Sequence, residues 1–235
     1  MKVKIQLIAL FFSFFGYSQT ETIGSIKSEV TTNFELEYVL HKPENTQELK
    51  PLLIFLHGSG EKGNDLEKVK NIGPLKYIKT HELDVYILAP QCPKNKYWES
   101  EELYILIQKI ITENKIDTSR IYISGLSMGA WATWNLAYKH PELFAALVPI
   151  AGYVDRIPMV EGCKIAAIPI RMFHGLLDNV VDIRYSRAIY DKLKDCNKDI
   201  KFEIFSDANH DSWTRVYDNS AIYEWLFLQK KKTSQ

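Results

Sequence analysis

Two periods alternate along this chain. Short, largely apolar runs at Leu52 to Leu56, Val85 to Leu88, Ile121 to Ser124, Ala145 to Ile150, Ile168 to Phe173 and Lys201 to Phe205 are separated by segments with helical spacing. Leu52 to Leu56 contains no polar residue, as suits a parallel strand covered on both faces, which has no need to alternate. Between the runs, Leu103, Ile107 and Ile110 recur near the helical period and Leu106 widens their face, which predicts a helix over about Glu99 to Thr112. Glu99, Glu101 and Glu102 near its start suit the positive end of a helix. Further helices are predicted from just after Ser127 to about Tyr138, over Asp182 to Leu193, and over Ser220 to Leu228.

This strand and helix alternation predicts an α/β fold: a mostly parallel, open central sheet with helices on both faces. Ile23 to His41 alternates loosely and reads as a strand or hairpin entering the domain, stopped by Pro43 and Asn45. Tyr153 to Ala167 is a small insertion before the penultimate strand, too short for a large lid. With no internal repeat and no low-complexity linker, the chain reads as one domain, a size its 235 residues suit.

The N-terminus departs from the pattern. Lys2 and Lys4 precede an apolar run from Ile5 to Phe15, and Gly16 and Ser18 on either side of Tyr17 supply small residues, so residues 1–18 read as a signal peptide and 19–235 as the domain. The run is short for a membrane span, so no integral membrane association is expected after processing. Losing Lys2 and Lys4 leaves 27 basic against 29 acidic residues. Neither that balance nor any basic stripe marks a nucleic-acid partner, and the oligomeric state stays open. Export makes disulfides possible, but three cysteines cannot all pair within one chain. Either Cys163 and Cys196 bridge and leave Cys92 buried, or all three are small core residues. Their spacing with histidine forms no metal-ligand pattern.

Candidate chemistry gathers after the strand runs. Gly125-Leu126-Ser127-Met128-Gly129 has the form G-x-S-x-G at the point where strand turns into helix, and such a turn lifts Ser127 Oγ above the sheet. A serine hydroxyl needs a base, and His210, in the loop after the last strand, is the candidate. Asp178, in the loop after Ile168 to Phe173, completes the order Ser, Asp, His as the group that orients the imidazole. Asp182 is its rival, although capping of the next helix accounts for it. Asp207 and Asp211 are near His210 only in sequence. The glycine-rich loop His57 to Gly63 and the residue after Ser127 offer backbone donors for an oxyanion: Ser59 and Met128, with Gly60 a further possibility. His57 itself reads as a structural loop histidine. The loop lacks the G-x-x-x-x-G-K-[ST] spacing of a phosphate site. Tyr97, Trp98 and Trp213 are candidates for an aromatic substrate platform at the mouth, while Trp131 and Trp134 read as packing residues.

"HGSGEKG" at His57 to Gly63, "IDTSRIYISGLSMGAW" at Ile116 to Trp131, "FHGLLDNVV" at Phe173 to Val181 and "NHDSWTRVY" at Asn209 to Tyr217 together resemble the serine α/β-hydrolase superfamily. The resemblance is nearest to secreted carbohydrate esterases, the feruloyl and acetyl xylan esterases, and to polyhydroxybutyrate-depolymerase-like carboxylesterases. It implies the α/β-hydrolase fold without a large lid, and Ser127, Asp178 and His210 as nucleophile, orienting acid and base. It also implies Ser59 and Met128 as oxyanion donors and hydrolysis of a small ester or an esterified polysaccharide, with no metal or organic cofactor. Lys62 stands where related loops often carry arginine, and Ala130 where a second glycine is common. A small prolyl-oligopeptidase-like peptidase or a short-chain polyester hydrolase is the alternative reading, and an exported glycan-binding protein the non-enzymatic one.

Overall fold

The computed structural model describes residues 33–231. The expected signal peptide and the first part of the Ile23 to His41 segment lie outside them. Among the described residues, seven strands form one sheet: β1 (Tyr38–His41), β2 (Lys50–Leu56), β3 (Tyr86–Pro90), β4 (Ile116–Leu126), β5 (Ala146–Ile150), β6 (Ile170–Gly175) and β7 (Ile200–Phe205). Their spatial order is β1-β3-β2-β4-β5-β6-β7. Only β1 runs antiparallel, pairing Tyr38 with Pro90 and His41 with Ile87; every other pair is parallel.

The helices are α1 (Leu66–Lys70), α2 (Gly73–Tyr77), α3 (Ser100–Glu113), α4 (Met128–Lys139), α5 (Arg156–Glu161), α6 (Arg184–Leu193), α7 (Trp213–Tyr217) and α8 (Ser220–Leu228). The side chains of β2 show why its apolar run is unbroken. Leu52, Ile54 and Leu56 join one buried core with residues of α3, α4 and α6, while Leu53 and Phe55 join a second with residues of α2, α7 and α8. All five are fully buried. Burying one such side chain is worth roughly 1.5–3 kcal/mol, so the central strand anchors both layers.

Most boundaries fall within two residues of the periodicity. β4 is the exception, beginning at Ile116 rather than Ile121. Its polar start is satisfied internally, since Asp117 accepts hydrogen bonds from Ser119 N, Ser119 Oγ and Arg120 Nε, and the register against β2 shifts between Lys50 and Leu52. Residues 153–167 fold into α5 and a following 3-10 turn at Gly162–Ile165. Cys163 in that turn is disulfide-bonded to Cys196, just beyond α6, and Cys92 is free and buried. Near the C-terminus, Lys231 N and Nζ donate to the carbonyls of Ser119 and Glu142. No helix among the described residues is long and apolar enough to cross a membrane.

Candidate active site

β4 ends at Leu126 and α4 begins at Met128, leaving Ser127 alone to make the turn. Its φ is 51° and its ψ −116°, a region a non-glycine residue rarely occupies. Strain of this kind costs about 1–3 kcal/mol and persists only where the surroundings impose it. They do so here. A Cβ on Gly125 would overlap the Gly129 carbonyl, and one on Gly129 would overlap the Leu56 carbonyl. Strand, helix and β2 are therefore closer together than side chains permit, which explains both glycines of the pentapeptide.

Ser127 Oγ lies 3.0 Å from His210 Nε2, and His210 Nδ1 lies 2.7 Å from Asp178 Oδ2. Asp178 follows β6 and His210 follows β7, so three loops at the C-terminal edge of the sheet meet at one point. The Asp178 side chain is fully buried. Burial pushes its carboxyl pKa up, but hydrogen bonds from His210, Val181 N and Val180 N outweigh that and hold it below the ordinary aspartate value. The competing acids are engaged elsewhere. Asp182 binds Arg184 N and Nε ahead of α6, Asp207 pairs with Arg215 through two hydrogen bonds, and Asp211 binds Thr214 N and Oγ1.

The glycine-rich loop is fixed from below. His57 is completely buried; its Nδ1 donates to Gly58 O at 2.6 Å and its Nε2 accepts from Cys92 N at 3.0 Å. Burial, against the pull of the Gly58 carbonyl, and the charge of Lys62 lower its pKa to about 4, so the ring is neutral and structural. Gln91 Nε2 donates to the carbonyls of Glu61 and Asp65 at 2.7 and 2.9 Å, tying down the far end of the loop. A Cβ on Gly58 would stand 2.8 Å from Leu126 Cδ1 and 3.5 Å from Ser127 Cβ, so the loop backbone runs directly beside the nucleophile turn.

Ser59 opens a 3-10 turn and Met128 opens α4, so neither amide N–H has an acceptor within its own helix. The Ser59 hydroxyl reaches Met128 Sδ at 3.7 Å, which sets the two turns side by side. Gly60 is exposed, with nothing within 4 Å of a would-be Cβ.

The aromatic platform differs from its sequence reading. Trp98 is only 4% exposed; its Nε1 donates to His57 O at 3.2 Å and its ring packs against the His57 ring, so it supports the loop instead of facing solvent. Trp213 packs edge-on against His210 with centroids 4.9 Å apart. Tyr97 is 62% exposed and heads a row the sequence did not reveal: Trp131 at 6.3 Å, then Tyr153 at 5.6 Å, then Tyr185 at 6.3 Å. Lys62 lies over the Tyr97 ring, 4.6 Å from its centroid. Trp131 N–H donates to Ser127 O, placing the row beside the nucleophile turn, and Trp131 Nε1 is held by Asp155 Oδ2 at 2.6 Å. At its far end Tyr185 joins Val154, Arg156, Met159, Arg184 and Ala188 around an open cavity of about 530 Å³. Trp131 is half-buried and packs against the core, as its sequence reading expects, and it also belongs to this row.

Together these groups can activate a hydroxyl, hold an imidazolium and receive an oxyanion. Among the described residues no group of three or more His, Cys, Asp or Glu is arranged to hold a metal ion.

The family described as phospholipase/carboxylesterase matches residues 94–223. A bifunctional acetylxylan esterase/xylanase from Neocallimastix patriciarum is 25% identical over 219 residues, covering 87% of this chain and 30% of the longer protein. An acyl-protein thioesterase 1 homologue from Dictyostelium discoideum is 28% identical over 192 residues, covering 68% of this chain and 85% of its own length. The crystal structure of a thermostable esterase superposes with a TM-score of 0.75 at 32% identity, over 85% of this chain and 60% of that one. The chain thus spans less than two thirds of the first and third of these proteins.

Proposed function

The chain belongs to the phospholipase/carboxylesterase family, and we propose that it is an exported serine carboxylesterase acting on acetyl or feruloyl esters of polysaccharides. The observation that carries the esterase reading is the unbroken contact from Ser127 Oγ through His210 to the Asp178 carboxylate. In this reading His210 Nε2 takes the Ser127 proton as Oγ attacks the ester carbonyl carbon. The carbonyl π pair moves to oxygen, and the Ser59 and Met128 N–H groups receive the charge; one such donor is worth about 2.7–4 kcal/mol in the transition state. Collapse breaks the bond to the alkoxy oxygen, which leaves with the proton from His210. The acyl group stays on Ser127. Water, deprotonated by His210, then attacks the acyl-enzyme, and Ser127 leaves with its proton restored. Asp178 stays ionised and stabilises the imidazolium in both halves.

One feature supports a polysaccharide as the alcohol component, and two support export. Four aromatic side chains line up beside the nucleophile turn, and flat rings offer apolar faces with polar rims to sugar C–H groups. The Cys163–Cys196 disulfide suits an oxidising compartment, as does the leader-like N-terminal sequence.

The test compares wild type with Ser127→Ala on acetylated xylan, feruloylated arabinoxylan, short p-nitrophenyl esters and a proline-containing peptide. Serine-dependent release of acetate or ferulate is the expected result. Peptide cleavage without comparable ester turnover would sink the esterase reading in favour of a peptidase, and glycan binding without turnover would leave a binding protein. Fractionation of the producing cells checks export, which an unprocessed cytoplasmic chain would contradict.

A further inference from the structure

His174, the fifth residue of β6, is fully buried and has no part in the acyl transfer outlined above. Its ring nevertheless touches the reacting chain. Nε2 stands 2.9 Å from the Val181 carbonyl oxygen and 3.1 Å from Asp178 Oδ2, and Nδ1 stands 2.8 Å from Ser186 Oγ.

These contacts determine where the hydrogens lie. A carbonyl oxygen only accepts, so Nε2 of His174 carries a hydrogen, and the same N–H also faces Asp178 Oδ2. Burial lowers the His174 pKa against the opposing pull of the Val181 carbonyl and the Asp178 carboxylate, so the ring is neutral. Nδ1 is then bare, and the buried Ser186 hydroxyl on α6 donates to it. Ser186 therefore favours the tautomer that His174 presents to Asp178.

The Asp178 carboxylate is thereby surrounded by donors. Oδ1 accepts from Val180 N and Val181 N, both at 2.9 Å, while Oδ2 accepts from His210 Nδ1 and faces His174 Nε2. A carboxylate has about four lone-pair sites; three N–H groups bond to them here, and the His174 N–H, bonded to the Val181 carbonyl, lies 3.1 Å from Oδ2 as a fourth. Two backbone donors on Oδ1 fix one oxygen; the histidine on Oδ2 limits rotation of the other about the Cβ–Cγ bond.

We infer that His174 is a positioning residue for ester hydrolysis: with Ser186 behind it, it holds the Asp178 carboxylate in the orientation that aims His210 at Ser127. The kinetic part of this inference rests on the proposed esterase activity. Its spectroscopic part does not, because the proton between His210 Nδ1 and Asp178 Oδ2 can be observed without turnover.

The experiment takes full-chain wild type, His174→Leu, His174→Gln and Ser186→Ala. It measures kcat and KM on p-nitrophenyl acetate and the low-field proton resonance of the His210–Asp178 hydrogen bond. His174→Leu is expected to lower kcat roughly 10- to 100-fold, the worth of one hydrogen bond to a charged group, with KM within about twofold on the same scale. The resonance should shift or broaden. His174→Gln, which restores an N–H donor near Nε2, should recover most of the loss, and Ser186→Ala should fall between wild type and His174→Leu. A role confined to filling space would lower thermal stability and leave the resonance and kcat where they were, and that outcome in folded variants overturns the inference. If His174→Leu fails to fold, a resonance and kcat unchanged from wild type in Ser186→Ala overturn it equally. Wild type that shows the resonance but turns over no ester refutes the esterase reading alone, and the variants' resonances still decide the positioning role.

Discussion

The amide of Ser127 donates to the carbonyl of Ile150 at 2.9 Å, so the nucleophile turn is pinned to the end of the neighbouring strand while its φ stays at 51°. The geometry that exposes Oγ is thus held from outside the pentapeptide, and the stability of the fold offsets the strain. Replacing Ser127 by alanine should abolish ester turnover and keep the strain. Replacing it by glycine should abolish turnover and relieve it. Strain of about 1–3 kcal/mol exceeds the roughly 0.5–1 kcal/mol that glycine loses in conformational entropy, so Ser127→Gly should unfold at higher urea concentration than Ser127→Ala. Equal midpoints would show that the turn stores no strain.

Gly129 tests the close approach of α4 to β2. A methyl group there meets the Leu56 carbonyl, a backbone atom that cannot swing aside as a flexible side chain would. Overpacking of a tight core typically costs about 1–3 kcal/mol, and Gly129→Ala should lie at or above the top of that range by denaturant titration. A loss below about 1 kcal/mol would mean that helix and strand separate readily.

Trp98 and Tyr97 adjoin in sequence and should fail in different ways. Trp98→Phe removes the hydrogen bond to His57 O beneath the oxyanion loop, so it should lower kcat on every substrate by about tenfold, the usual value of one such bond. Tyr97→Ala removes an exposed ring at the head of the aromatic row. It should raise KM on acetylated xylan and leave p-nitrophenyl acetate unaffected. Matching kinetic losses in the two variants would refute this division.

Acid should destabilise the protein through His57. Burial holds its folded-state pKa at about 4 against 6.5 for the free side chain. The unfolded chain therefore binds this proton first as pH falls, and stability is lost between about pH 6.5 and pH 4. The loss attributable to this residue is about 3 kcal/mol. Asp178, with its pKa depressed, acts in the same direction at lower pH, since its stabilisation is lost as the folded-state carboxylate takes up a proton. A His57→Gln variant, weaker at neutral pH, should show a shallower decline over pH 6.5 to 4 in urea titrations. Parallel curves for variant and wild type would refute this.

The disulfide closes a separation of 33 residues between Cys163 and Cys196. Loop-closure entropy assigns it roughly 3–4 kcal/mol, so Cys163→Ser should lower stability by about that much in oxidising buffer and by little once wild type is reduced. Buried Cys92, its thiol pushed up to about 11 mainly by burial, should resist alkylation until the chain unfolds.

Much of the architecture was legible because its determinants are local. α8 begins and ends at Ser220 and Leu228 as its period indicates, and the loops bearing Ser127, Asp178 and His210 could be placed because each follows a strand pattern, apolar before the first two and alternating before the third. The capping role expected of Asp182 is not met as such, since α6 has Ile183 at its N-cap with no side-chain cap bond; Asp182, one residue earlier, is engaged instead by Arg184 N and Nε. What could not be read depends on tertiary placement. The start of β4 is polar and resembles a turn until Asp117 is seen to satisfy it. Trp98 and Trp131 are both tryptophans near motifs, and only the packed fold sends the first beneath a loop and leaves the second along a row at the surface. His174 lay inside a recognised motif, yet its role depends on Ser186, twelve residues later, and on a carboxylate it shares with His210.

Because Ser127, Asp178 and His210 leave the sheet after β4, β6 and β7, the chemistry is distributed in time as well as in space. Ribosomes deliver the nucleophile first and the base 83 residues later. Until the last strand pairs, the nascent chain carries a serine with no means of deprotonation. Acyl transfer by these three residues is thus out of reach until β7 has paired, and the onset of ester turnover would serve as a clock for completion of the sheet.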